Sequence, residues 1–190
     1  MVDQQPEPLQ FPPELQKAIE EFKNRKTYAS FDLPTLREIK DQQIEQALMD
    51  YIWKKTDANP RNRKSTILGL SRGFQVLYLT WLVEAEVLNG GFNQYYWNTS
   101  GEFAELTPAA LREIGADEAA TIMEWSVEAA ISEIPQIAKF RAAGTVEAFS
   151  ESYKHTKLND FDEPFSKLAG EFPKLRIRYI RSNEAQFVTQ

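Results

Sequence analysis

A long apolar segment that ends in glycines constrains the fold more than any other part of this sequence. From Ser65 to Leu88, apolar side chains recur at spacings of three and four, and the opposite side of the predicted helix is apolar too. A helix that is apolar on all sides is buried inside a domain. Asn89-Gly90-Gly91 follows directly, and these residues readily adopt the conformations that end a helix. The pattern predicts a buried central helix, open to an interruption near Gly69 or Gly73.

The stretch from Asn89 to Gly101 combines glycines, side-chain amides and aromatic residues. Phe92–Trp97 is predicted to form a short helix or turn that packs back on its neighbour. A buried amide without partners costs about 1–3 kcal/mol, so the amides are expected to bond the backbone or one another. The stretch is either a structural corner or a ligand site lined by amides. We favour the corner, because the stretch contains no histidine and no nucleophile–base pair.

The rest of the chain shows helical spacing and no useful strand-like alternation. We therefore predict an all-α fold, with an extended proline-rich arm over residues 1–13 and one compact multi-helix domain over residues 14–190. The other predicted helices cover Glu14–Lys26, Pro34 to about Lys55, Thr107–Ile114, Asp117–Ile134, Gln136–Ala143, Thr145–Tyr153 and a last helix from Pro173. Pro135 is expected to stop one helix and Thr145 to cap another. The bases Lys174, Arg176, Arg178 and Arg181 are expected to face solvent.

Several classes of site are excluded by composition. The chain has no cysteine and one histidine, His155, so thiolate sites, disulfides and zinc sites built on histidine are excluded. The acids Asp160, Asp162 and Glu163 lack the spacing of a calcium loop. No catalytic, cofactor-binding or metal residue is assigned. The N-terminal sequence resembles no signal peptide and no segment is long enough to span a bilayer, so a cytoplasmic protein is expected.

Acidic residues are concentrated in the centre of the chain. Residues 73–138 carry a net charge of −9, against +1 for residues 1–72 and +2 for residues 139–190. This distribution disfavours direct binding to nucleic acid and favours a basic partner. Asp117, Glu124 and Glu128 fall within about 20° of one line on their predicted helix, with Glu124 and Glu128 roughly 6 Å apart along its axis. That separation resembles neighbouring phosphates, although a solvated helix face has the same pattern. The alternative acid sets are Glu102, Glu105 and Glu113, or Asp160, Asp162 and Glu163.

The segment from Glu86 to Gly101 resembles the signature of a bacterial family of uncharacterised helical domains, best known through an acidic DNA-mimic protein. The residues that carry this resemblance are Glu86, Asn89, Gly90, Gly91, Phe92, Gln94, Asn98 and Gly101. Leu158–Phe165 and Ile177–Asn183 are similar to the family's closing helix pair. The resemblance covers roughly residues 68–187.

The resemblance implies an acidic protein-binding module that mimics DNA and occupies a basic DNA-binding protein, such as a transcription factor. The hypothesis includes no direct contact with nucleic acid or membrane, and it allows a homodimer. An immunity-type inhibitor of a basic toxin is an alternative that uses the same physics. A hydrolase that uses Glu84 or Glu86 with the motif amides is another, but no nucleophile, metal shell or phosphate loop supports it. We expect a protein that is not an enzyme.

Overall fold

Ten α-helices and five short 3₁₀ helices form the structure, a computed structural model that describes residues 11–58 and 60–189. The α-helices are α1 Pro13–Lys23, α2 Leu33–Glu38, α3 Asp41–Asp57, α4 Arg63–Leu68, α5 Arg72–Trp97, α6 Thr107–Glu113, α7 Asp117–Ala143, α8 Val146–Ser152, α9 Asp162–Ala169 and α10 Phe172–Ser182. No strand occurs within these ranges, and the helices pack around one hydrophobic core, to which α1 contributes no buried residue. The all-α prediction is confirmed. Most of the predicted arm over residues 1–13 lies outside the described residues.

Helix α5 is the centre of the domain, as its sequence predicts. Between Gly73 and Val83, buried side chains lie on every side of this helix, and α5 contacts α3, α4, α6, α7, α9 and α10. The predicted interruption is real, because α4 ends at Leu68 and α5 begins only at Arg72. Although α5 is the most apolar long helix, no helix in the described part of the chain is long and apolar enough to cross a bilayer.

The single helix predicted from Pro34 to Lys55 is wrong. Ile39 and Lys40 have extended backbone (ψ 127° and 150°), and they separate α2 from α3. Arg181 explains the break, because its guanidinium donates to the carbonyl oxygens of Leu36 (2.8 Å) and Ile39. These bonds satisfy acceptors that a continuous helix would satisfy within itself. The break also lets Ile39 enter the core.

The predicted stop at Pro135 is also wrong. Helix α7 runs from Asp117 to Ala143 through Pro135, and it ends at Gly144, whose φ of +66° is the expected left-handed cap. A proline inside a helix removes one hydrogen bond, but packing can offset that loss. Here the later part of α7 is held by the chain that follows it: the Phe140 ring stacks on His155 with centroids 5.5 Å apart.

Helix ends confirm one capping prediction and correct another. Thr145 caps α8, where its hydroxyl accepts a bond from the amide of Ala148 at 3.1 Å. At α7 the N-cap is Ala116, and Asp117 lies within the first turn and makes no side-chain cap bond. Asp117 therefore interacts favourably with the helix dipole without closing the helix end.

Candidate functional site

Glu86 is the centre of the glycine-rich stretch. Its carboxylate accepts hydrogen bonds from the side chains of Gln94 (2.9 Å), Asn98 (2.8 Å) and Ser100 (2.7 Å). Asn89 in turn donates to the Gln94 side-chain oxygen at 3.1 Å. The predicted bonding among the amides is therefore present. One carboxylate on α5 organises the chain that folds back over it.

The two glycines make this return possible. Gly90 (φ −158°, ψ 29°) and Gly91 (φ +69°, ψ −179°) interrupt α5. A positive φ is expected of a glycine that ends a helix. Of these two glycines, Gly91 has one and Gly90 does not. The freed backbone groups find partners elsewhere: the Gly90 carbonyl accepts the Tyr153 hydroxyl (2.6 Å), and the Phe92 amide donates to Asp162 (2.7 Å). A side chain at Gly91 would collide with the Asp162 carboxylate.

Asp162 stabilises this turn and is not part of an exposed acidic surface. It is half-buried and has no basic partner within the described residues. Burial raises the pKa of its carboxyl, and the bond from the Phe92 amide opposes that rise. Its neighbour Glu163 is paired with Lys167 at 2.7 Å. The alternative acid set of Asp160, Asp162 and Glu163 is therefore not a uniform negative array.

Aromatic residues of the stretch join the helices. Phe92 is fully buried and meets Phe165 of α9 edge-on, with centroids 5.2 Å apart. The Tyr95 hydroxyl lies 3.2 Å from the Thr107 hydroxyl of α6. Burial raises the pKa of the Tyr95 phenol, with the Thr107 hydrogen bond opposing it. These contacts support the structural-corner interpretation, because each side chain is used inside the fold.

A polar surface pocket of about 830 Å³ lies beside this network. Its walls include Glu86, Gln94 and Asn98, together with Trp97 and Arg141. The side-chain amides of Gln94 and Asn98, which lie in the pocket wall, donate their hydrogen bonds to Glu86. The structure therefore contains a cavity for the ligand-site interpretation. The amides in its wall are already bonded to Glu86, so they are not a set of polar groups that faces only the cavity.

Glu84 belongs to a separate network around Arg176, and the expectation that Arg176 faces solvent is wrong. The Arg176 side chain is 2% exposed. It donates to Glu84 at 2.5 Å and, in a two-pronged contact, to Glu45 at 3.0 and 2.9 Å. Burial raises the pKa of Glu84, and the charge of Arg176 opposes that rise. The sequence carried a signal for this, since Arg176 falls one helical turn from both Phe172 and Ile180 on the buried face of α10.

The predicted partner-binding acids lie on the outer side of α7, but they are not equivalent. Asp117 and Glu128 are exposed and have no basic partner in the described ranges. Glu124 accepts hydrogen bonds from both terminal nitrogens of Arg112, at 2.8 and 2.7 Å. That hydrogen bonding lowers the pKa of Glu124. Its charge is therefore largely matched within the fold.

The remaining acids of the central block divide in the same way. Glu102 pairs with Arg63 at 3.3 Å, and Glu113 pairs with Arg72. Within residues 73–138, the exposed carboxylates without a basic partner are Glu105, Asp117, Glu118 and Glu128. The sequence prediction chose acids that fall along one line of the helix. It therefore omitted Glu118, which lies next to Asp117 at the start of α7.

The family model described as DMP19-like protein matches residues 68–183, more than half of the 190-residue chain. The chain belongs to the DMP19-like protein family. No curated protein and no solved structure matches it. In this DMP19-like chain the matched range contains all of α5–α10, while α1–α3 precede it. Glu45 of α3 nevertheless binds Arg176 of α10, so α3 is built into the same core although it precedes the matched range.

Glu86→Gln is expected to destabilise this DMP19-like domain by about 1–3 kcal/mol, because an amide cannot accept all three donors and leaves a partly buried group unmatched. Glu105→Gln is the control, since Glu105 is exposed and should change stability by no more than about 0.5 kcal/mol. Urea unfolding followed by circular dichroism measures both. Equal midpoints for the two variants would contradict the organising role of Glu86.

Proposed function

We propose that this DMP19-like protein is an acidic binding module that occupies a basic DNA-binding protein, such as a transcription factor, by presenting carboxylates in place of phosphates. Membership of the family supports the proposal. So does the charge of −9 on residues 73–138, which lies on the helices around α5 and α7. Fixed carboxylates compete for the lysines and arginines that otherwise contact DNA.

The outer face of α7 is the observation that carries this proposal. Asp117, Glu118 and Glu128 project from one rigid helix over roughly 16 Å, at the rise of about 1.5 Å per residue. They have no basic partner in the described part of the chain, so their field is available to a partner. Trp125, 53% exposed, lies between Glu118 and Glu128 on this face. An arginine of the partner would stack on its ring while meeting the carboxylates.

Action by binding, with no turnover, is the second part of the proposal. The two carboxylates of the hydrolase alternative are both engaged: Glu84 binds Arg176, and Glu86 receives three side-chain donors. No group of three metal-binding side chains occurs among the residues that the structure describes. An immunity-type inhibitor would use the same acidic face, and the identity of a partner captured from cytoplasmic extract distinguishes it from a mimic that targets a transcription factor.

Removal of the free carboxylates of α7 tests the proposal. The triple variant Asp117→Asn, Glu118→Gln, Glu128→Gln is expected to weaken binding to the captured basic partner roughly 10- to 100-fold. The estimate assumes that each exposed charge pair contributes about 0.5–1 kcal/mol. Because binding depends on charge, the salt dependence should also flatten. Affinity at two salt concentrations, with displacement of the partner from DNA, is the measurement.

A matched control removes the same charge elsewhere. Glu14, Glu20 and Glu147 are exposed and form no ion pair within the described residues. The variant Glu14→Gln, Glu20→Gln, Glu147→Gln therefore has the same net charge as the α7 variant. It should retain most of the affinity. If both variants lose affinity equally, only net charge matters and the α7 face is not the contact surface.

A further inference from the structure

An apolar groove runs along the second half of α7. We call it the α7 groove and define it by Tyr96, Val127, Ile131, Ile134, Ile137 and Ala138, which line a volume of about 630 Å³. That volume lies within the range of roughly 300–1,000 Å³ typical of concave binding sites. The groove adjoins the polar pocket beside Glu86, and the two share Asn98, Thr99 and Arg141 in their linings.

Two large aliphatic side chains remain open to solvent in this groove. Ile131 is 56% exposed and Ile134 is 58% exposed, one helical turn apart. Ala138 continues the row by one further turn. A contiguous apolar row in a concave surface is the usual receptor for one face of a helix, whose side chains repeat at the same spacing. An exposed patch of this kind is typical of an interaction site.

Charges at the groove indicate the kind of helix that fits. Glu105 lines one part of it, and Glu128 lies one turn before Ile131. Both carboxylates are exposed and have no basic partner in the described ranges. Two cations also line the groove: Lys64 donates to the carbonyl oxygen of Glu102 at 2.7 Å, and Arg141, one turn beyond Ala138, forms no ion pair within the described residues. A bound helix would therefore meet Glu105 and Glu128 with lysines or arginines and carry no base opposite Arg141.

We propose that the α7 groove receives an amphipathic helix of the basic partner. Its apolar side chains cover Ile131 and Ile134, and its lysines or arginines meet Glu105 and Glu128. The inference rests on the proposed function and extends it, since a purely electrostatic mimic needs no groove. Apolar burial is insensitive to salt screening, so the groove supplies the part of the affinity that remains at high salt.

A pair of synthetic peptides tests the groove on the full chain. The first is a labelled leucine–lysine peptide of about 14 residues, with its leucines on one helical face at the spacing of groove ligands. The second has the same composition in scrambled order, and so the same charge. Fluorescence anisotropy is measured at low and high salt. The amphipathic peptide should bind more tightly, and the difference should persist at high salt.

Variants locate the binding. Ile131→Ser with Ile134→Ser should weaken the amphipathic peptide about tenfold or more, because two buried aliphatic contacts are lost. Leu88→Ser is the matched control, since Leu88 is 53% exposed and lies outside the groove lining. It should bind as the wild type does. Melting temperatures of all variants should agree, because the changed side chains are on the surface.

Each outcome decides between the groove and the acidic face. If both peptides bind equally and lose affinity with salt, the acidic face acts without the groove, which overturns this inference alone. If only the amphipathic peptide binds, and the serine variants abolish it, the groove stands even where the acidic face fails. No binding of the amphipathic peptide overturns the inference. Self-association of the chain would also overturn the inference if the serine variants abolish it, because the groove would then bind a second copy of the chain.

Discussion

Arg176→Met is expected to lower the free energy of unfolding by about 3–5 kcal/mol, the largest loss among the substitutions considered. Methionine fills a similar volume but leaves the carboxylates of Glu84 and Glu45 without their cation. Both are mostly buried, with side chains 15% and 21% exposed. Lys174→Met on the same helix is the control, because Lys174 is exposed and should cost no more than about 0.5 kcal/mol.

The pH dependence of the Arg176→Met defect gives a second test. Burial already raises the pKa of Glu84, and Arg176 opposes that rise. Without Arg176 the folded-state pKa should rise further above its unfolded value. A raised carboxyl pKa penalises the folded state as pH increases, because the unfolded chain ionises first. The defect should therefore be smaller in acid than at neutral pH, and Glu84→Gln added to Arg176→Met should restore part of the stability. Urea titrations at both pH values measure this, and a pH-independent defect would contradict it.

Gly91→Ala is expected to destabilise the domain by about 2–5 kcal/mol. The estimate adds about 1–2 kcal/mol for a side chain at positive φ to about 1–3 kcal/mol for overpacking. Gly91 has a φ of +69°, and a new Cβ would lie 2.7 Å from the carboxyl carbon of Asp162. Asp162 would have to move, and the Phe92 amide would then lose its acceptor. Thermal and urea unfolding measure the loss.

Two other glycines separate these causes. Gly144 has a φ of +66°, and no atom lies within 4 Å of its added Cβ, so Gly144→Ala reports backbone strain alone. Gly90 has an ordinary φ, and its added Cβ would meet the flexible side chain of Gln94. We expect Gly91→Ala to cost clearly more than Gly144→Ala. Equal losses would show that the contact with Asp162 has no energetic role.

Local signals predicted the helical fold and its main corner. The apolar pattern of α5 indicated a buried helix, and the structure wraps other helices around it. Glycines indicated the point where α5 folds back, and Gly91 has the positive φ that a glycine tolerates. The amides were expected to bond one another because burial leaves them no water, and Gln94 meets both Asn89 and Glu86.

Distant partners explain what those signals missed. The break between α2 and α3 depends on Arg181, which is more than 140 residues from the carbonyls it bonds. Helix α7 continues through Pro135 because later residues, including His155, pack on its second half. Arg176 is buried because Glu84 and Glu45 meet it from two other helices.

The sequence by itself determined the helical class, the buried central helix, the glycine corner and the −9 charge of residues 73–138, because each depends on neighbouring residues or on composition. Only the tertiary structure decided which carboxylates remain free. Glu84, Glu102 and Glu113 are neutralised by Arg176, Arg63 and Arg72, which lie 92, 39 and 41 residues away in the chain. The energy of a charge pair depends on distance in space and on burial, and neither can be read from positions along the chain.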